Sequence, residues 1–228
     1  MRPAKSILAF AILALLSACA SGPGLKRYPR QYIERPLTLP QDVASYDVSG
    51  EMGYSLNDQQ TRVSSQIPTP LRFRTAMSDS VTLRWFGVIP YALDWKAYED
   101  EQTQHALSFW FADPNRGLLM PGLAWQVRHL IDDESAIELK FSLPSSTVPE
   151  FSVGEIYQVS RELALKPELI LQQRQIDGVN YSAVPVRLNI YWSFDREWDF
   201  TGTYTYSRLG LPSSFFENVF GFSFTRYW

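Results

Sequence analysis

The sequence predicts an all-β fold, an antiparallel transmembrane β-barrel of about twelve strands. Three observations predict it. From Asp47 onward the dominant hydrophobic period is two, a short polar turn unit recurs between the alternating stretches, and longer connections separate the resulting hairpins.

The alternation is clearest in four stretches. Val48, Gly50, Met52, Tyr54 and Leu56 alternate with Asp47, Ser49, Glu51, Gly53 and Ser55. Ile137, Leu139, Phe141 and Leu143 alternate with Glu138, Lys140 and Ser142, and Val184, Val186, Leu188, Ile190, Trp192 and Phe194 with Arg187, Asn189 and Ser193. Trp198, Phe200, Tyr204 and Tyr206 alternate with Asp199, Thr201, Thr203, Thr205 and Ser207. Successive side chains of a strand point to opposite faces, so each stretch has one apolar and one polar face. Only a short piece, Glu162 to Gln172, has any helical character, and Pro167 limits it.

The turn unit reads apolar, small or acidic, polar, polar, then apolar-x-apolar. It occurs at Met77–Leu83, Val159–Leu165 and Phe194–Phe200, with a version one residue longer at Ile131–Ile137. Asp and Ser close tight turns because their side-chain oxygens accept from nearby backbone amides. The connections Asn57–Pro70, Asp113–Gly122, Pro144–Gly154 and Leu209–Asn218 hold Pro, Gly, Ser and Asn and are longer. Short turns at one end and long loops at the other are expected of a spanning barrel. The strands are expected near 46–56, 71–77, 80–88, 90–98, 105–112, 121–131, 136–143, 154–160, 163–174, 182–194, 198–208 and 218–228. An even number places both ends of the domain on the short-turn side.

The amino-terminal segment has a different character. Arg2 and Lys5 precede an uncharged apolar run from Ile7 to Leu16, followed by Leu16-Ser17-Ala18-Cys19. That order of basic, apolar and small-residue regions describes a secretory signal, and the apolar run is too short for a spanning helix. Leu16 to Cys19 resembles the lipobox of bacterial lipoproteins. The resemblance implies cleavage before Cys19 and fatty acylation of that residue by the lipoprotein-processing machinery. Ala20, rather than Asp, then implies sorting to the outer membrane by analogy with enterobacterial lipoproteins. Cys19 is the single cysteine, so no disulfide is available to the mature domain. The expected organisation is a signal peptide over 1–18, a lipidated, Pro-rich periplasmic tether over 19–45, and a β-barrel over 46–228.

Phe220, Phe222, Phe224 and Trp228 share one face of the last expected strand. They resemble the terminal signal that the barrel-assembly machinery reads in bacterial outer-membrane proteins, with Arg226 departing from the pattern. Arg35-Pro36-Leu37-Thr38-Leu39-Pro40 resembles the entry segment of various barrel proteins, a likeness that implies no activity.

A soluble, lipid-tethered β-sandwich is the alternative fold, since it would hide the same apolar faces in a core. Short expected strands at 71–77 and 105–112 and the prolines Pro90, Pro121, Pro167 and Pro185 favour it. The polar phase favours the barrel: Glu51, Arg72, Arg74, Arg84, Asp94, Lys96, Arg128, Glu138, Lys140, Glu168, Arg187 and Asp199 would line a lumen crossed by ion pairs of both signs. A sandwich would present these residues to solvent.

Composition excludes several functions. The net charge of −3 with interspersed signs, together with export, argues against nucleic acid. Two histidines, His105 and His129, cannot build a His-rich metal site, and no metal or other cofactor is expected. His129 falls in the apolar phase beside a turn, and His105 is read as solvated. Ser108 follows His105 by three residues, an offset that puts them on opposite strand faces, so a barrel lipid hydrolase is a minor alternative. The acidic run Glu99–Glu101 lacks calcium-loop spacing. The expected function is non-enzymatic: a structural component or small channel of the outer membrane, with membrane lipid and the processing, sorting and assembly machineries as partners. A tethered β domain binding an envelope partner or lipid is the alternative.

Overall fold

The computed structural model describes residues 25–26, 28–57, 60–66, 72–86, 89–112, 121–144, 149–176, 179–207, 209 and 218–228. Cys19 and the signal region lie outside the described residues. Fourteen strands follow in order: β1 (Ala44–Asn57), β2 (Gln60–Gln66), β3 (Arg72–Ser78), β4 (Val81–Phe86), β5 (Ile89–Glu99), β6 (Thr103–Trp110), β7 (Gly122–Leu130), β8 (Ser135–Pro144), β9 (Glu150–Gln158), β10 (Leu163–Ile176), β11 (Val179–Ala183), β12 (Val186–Ser193), β13 (Trp198–Tyr206) and β14 (Asn218–Tyr227).

All pairings are antiparallel, and the sheet closes on itself. β1 pairs with β14 from Ser45↔Tyr227 to Tyr54↔Asn218, and the order then runs β3 through β10, β12, β13 and back to β14. Reciprocal backbone bonds of 2.9 and 3.0 Å between Ala44 and Trp228 seal the seam at one end. β2 continues the wall position of β3, pairing with the far half of β1, and β11 continues that of β12, pairing with the far half of β10. Removing β2 and β11 from the fourteen leaves a closed ring of twelve. The structure is thus the barrel rather than the sandwich, and the ring has no unpaired edge.

The twelve wall strands match the expected ones closely, and the departures have local causes. β2 lies in a stretch read as loop because its sequence, Gln60–Gln66, is almost wholly polar and gives no alternation. The stretch expected as one strand over 182–194 is divided at Val184 and Pro185, where proline removes a ladder donor. Pro167, which counted against the barrel, stands mid-strand in β10. It pairs with Leu188 of β12, while the ladder towards β9 has no pair between Leu165↔Tyr157 and Glu168↔Gly154. The missing proline donor therefore coincides with a gap. Gly154 fits that gap, since a Cβ there would meet the Pro167 carbonyl oxygen at 2.9 Å.

The tight turns behave as their side chains predict. Asp100, Asp132 and Asp195 each accept two backbone amides through Oδ1 at 2.6–2.9 Å, and Ser160 accepts two through Oγ at 3.2 and 3.3 Å. The asymmetry of the ends is less complete than expected: β4 ends at Phe86 and β5 resumes at Ile89, at the end opposite these turns.

The outer face is a girdle of exposed Leu, Ile, Val and aromatic side chains carried by nearly every strand, including Trp95, Phe109, Trp125, Phe151, Leu169, Leu188, Ile190, Phe220 and Phe224. Water-soluble monomers rarely present an apolar face of this kind, whereas a spanning barrel requires an outward apolar band. No helix among the described residues is long and apolar enough to cross a membrane, so any crossing is made by strands. The inner face carries the buried polar groups Ser45, Thr82, Asp94, Arg128, Glu138, Ser152, Lys166, Glu168, Asn189, Ser193, Asp199 and Thr225.

The segment read as a tether is not a free one. Residues 28–43 are almost without regular structure, as their prolines dictate, but they lie inside the barrel at the short-turn end. Leu25, Tyr28, Leu39 and Val43 cluster with Tyr227, and Ile33 packs on Ala136, Ile156 and Ala164 of three adjacent strands. Small inner residues on β8 and β10 leave the room that the isoleucine fills.

Candidate functional site: the strapped lumen

A strap without a ladder must find other partners for its amides and carbonyls. Here the wall side chains supply them. Leu39 N donates to Thr82 Oγ1 of β4 (2.8 Å), Leu37 N to Gln104 Oε1 of β6 (3.1 Å) and Ile33 N to Gln158 Oε1 of β9 (3.1 Å). Gln41 N donates to Asp79 in the β3–β4 turn (2.8 Å). Arg128 of β7 donates to the Arg35 carbonyl at 2.8 Å, and its guanidinium lies 5.1 Å from the centre of the Tyr32 ring. Tyr32 stacks on Tyr191 of β12 with ring centres 3.7 Å apart.

Arg35 anchors the strap. Its guanidinium forms a two-pronged ion pair with Asp199 of β13, donates to Ser193 Oγ of β12 at 2.8 Å, and sits over the rings of Tyr28 and Tyr227. Arg35 is 4 % exposed and Asp199 8 %. A planar guanidinium suits this place because it donates in a fork to carboxylate and hydroxyl partners while stacking on aromatic faces.

Beyond the strap, ion pairs cross the inner wall. Glu138 of β8 accepts from Arg128 at 2.8 Å and pairs with Lys166 of β10, which lies 3.2 Å from Glu168; Glu168 in turn lies 3.6 Å from Arg187 of β12. Arg84 of β4 pairs with Asp94 of β5, and Ser108 of β6 donates to Asp94 at 2.6 Å. Arg74 donates to Ser45 Oγ at 3.1 Å. The structure therefore brings Arg128 and Glu138 together with Lys166, Glu168 and Arg187, and Arg35 with Asp199. Arg84 joins a separate pair. Glu51, Arg72, Arg74 and Lys140 share the inner face by strand register without entering these pairs. Sequence phase gave the face of each residue; Arg35, outside any strand, had no such signal.

The outer aromatics are placed as follows. Phe220, Phe222 and Phe224 of β14 are exposed on the girdle, and Trp228 packs beside Tyr46 with ring centres 5.7 Å apart. Arg226 shares their face, with its guanidinium 5.3 Å from the Trp198 ring centre and 3.9 Å from Glu197 in the neighbouring turn. A long cation can reach a polar rim from an apolar face in this way. His105, read as solvated, instead packs between Tyr98 and Trp125 on the outer face. Its position across the wall from the inward Ser108 precludes a bond between them. His129 meets Thr103 Oγ1 at 2.9 Å. Among the described residues no three His, Cys, Asp or Glu side chains are grouped to hold a metal ion.

A closed antiparallel ring, an apolar girdle and a polar lumen together define a transmembrane β-barrel protein of the outer-membrane type. Solved structures agree. The chain is similar to a KdgM porin (TM-score 0.51, 9 % identity, 80 % of this chain and 98 % of that one) and to a KdgM porin in complex with disordered oligogalacturonate (TM-score 0.53, 8 % identity, the same coverage). A loop-deleted OmpT from Vibrio cholerae aligns more distantly, with a TM-score of 0.42. No protein-family model and no curated protein matches the sequence. At these identities the likeness is one of fold.

Proposed function

We propose that the chain is an outer-membrane lipoprotein, anchored through acylated Cys19, whose barrel is a small channel closed at its periplasmic end by its own strap. One observation carries the reading. The strap is held almost entirely by side chains of the wall, from β4, β6, β7, β9, β12 and β13, rather than by backbone pairing. Such a plug can leave without breaking the ring that surrounds it. The lumen is polar and charged, as the interior of a water-filled barrel is, and solved barrels of like fold include porins.

The amino terminus enters at the short-turn end, where an acyl anchor in the inner leaflet would hold it. In this reading the processing and sorting machineries deliver the chain, and the barrel-assembly machinery reads Phe220, Phe222, Phe224 and Trp228. The tightness of the Arg35–Asp199 latch favours a second reading, a permanently closed structural barrel.

Conductance in planar bilayers separates the two. The expected result is a nearly silent wild type and discrete conductance from a strap-released Arg35→Gln variant. Silence from both, with the variant folded, removes the channel and leaves the structural role.

A further inference from the structure

The five tight turns do not carry the same charge. Those after β3, β5 and β7 hold Asp79, then Asp100 and Glu101, then Asp132, Asp133 and Glu134, without a single cation. Only the β9–β10 and β12–β13 turns hold arginines, Arg161 and Arg196. These two turns are neighbours, since Ser193 N donates to Glu162 O at 2.8 Å.

Between them and the start of the strap lies a cavity of about 390 Å³, lined by Tyr28, Arg30, Gln31, Glu34, Arg161 and Arg196 among others. Two of its arginines are fixed in place. Arg30 donates to Phe194 O at 2.5 Å and pairs with Glu162 at 2.8 Å, and its Nε is buried without a partner. Arg196 donates to Lys26 O. Arg161 has no ion-pair partner among the described residues. The lining itself thus carries three guanidinium groups against one carboxylate, Glu34, with Glu162 paired to Arg30 and Asp195 and Glu197 flanking Arg196 in its turn. On the outer side of the same sector Trp192, Phe194 and Trp198 are 46, 42 and 36 % exposed. Aromatic residues of this kind sit at the level of lipid headgroups.

We propose that this cavity binds the phosphate of an anionic phospholipid headgroup in the leaflet at the short-turn end. Guanidinium forks match phosphate oxygens in pairs, and two of the three are pre-positioned by the strap and the turns. The cavity has room for a headgroup beyond the bare anion, and the exposed Trp192 and Trp198 at the ends of the strands that carry one of its turns mark the headgroup level. Basic pockets at a membrane rim bind phosphorylated lipids by this chemistry. The assignment does not depend on whether the lumen conducts.

The test uses the full-length protein, extracted in mild detergent and exposed to phosphatidylglycerol or phosphatidylcholine, with retained lipid counted by native mass spectrometry. Wild type is expected to retain phosphatidylglycerol preferentially. Arg161→Gln/Arg196→Gln is expected to lower that retention about thirtyfold, on the scale of two interfacial cations, while Asp133→Asn on the acidic sector leaves it unchanged. Heat-modifiable migration on gels reports whether each variant is folded. If the double glutamine variant does not fold, Arg161→Lys/Arg196→Lys replaces it, and intermediate retention is expected because charge survives without the fork. Equal retention of the two lipids by wild type, or undiminished retention in the folded variants, overturns the proposal. Inorganic phosphate binding that is lost in the double variant, without lipid retention, overturns the lipid assignment in favour of a soluble phosphate site.

Discussion

Glu138 stands between Arg128 and Lys166, with the side chains of all three no more than 7 % exposed. Removing one member of such a group leaves an uncompensated buried charge, which costs about 3–5 kcal/mol. Glu138→Gln is therefore expected to lower the unfolding free energy in urea by that order, because Arg128 and Lys166 lose the carboxylate they share. Arg35→Gln is expected to strand Asp199 at similar cost and to free the strap. An Arg35→Met/Asp199→Leu pair should recover much of the loss, since both charges are then gone. Heat-modifiable migration against temperature measures both variants.

At the turns, Asp132 and Asp100 behave differently from the lumen carboxylates. The Glu134 amide, then the Ser135 hydroxyl and amide, hold the Asp132 carboxyl below its ordinary value, and the Tyr98 hydroxyl followed by the Gln102 and Thr103 amides does so for Asp100. A lowered folded value means stabilisation that is present above the ordinary carboxylate range and is lost as pH falls through the folded value. The unfolding temperature of wild type should accordingly fall below pH 3.8, the ordinary value for Asp. A double Asp100→Ala/Asp132→Ala variant should show less of that fall. An identical pH profile would contradict the assignment.

At the scale of elements, each strand has two environments, and the same substitution should have different consequences on each. Ile190 faces the girdle and Asn189 the lumen of β12. Ile190→Arg is expected to destabilise the barrel by about 2–4 kcal/mol if the residue lies near the bilayer midplane. Asn189→Ser should have a much smaller effect, and urea unfolding in lipid vesicles compares the two. The β9–β10 junction is a more local case. Gly154→Val would place side-chain atoms against the Pro167 carbonyl and the Lys166 side chain, where the ladder is already interrupted. Strand period made most elements legible beforehand. Where it failed, at β2 and at the β11–β12 break, the sequence is either almost wholly polar or interrupted by proline, and neither situation produces an alternating signal.

For the whole molecule, the barrel and the expected lipid anchor make separable predictions. Cys19→Ser with a cleavable, non-lipid signal should still partition with outer membranes and remain heat-modifiable, because the girdle alone holds the wall in lipid. Recovery of the variant as a soluble periplasmic protein would contradict the membrane-spanning reading. The sequence by itself determined the strand faces, the turn positions and the twelve-strand wall, because period two and Asx or Ser turns are local physics. Only the tertiary structure decided where residues 28–43 go. The strap has no period, and its partners Thr82, Gln104, Arg128, Gln158, Ser193 and Asp199 are scattered along the chain. They converge only when the sheet closes, and that closure gives a proline-rich segment its place inside the barrel.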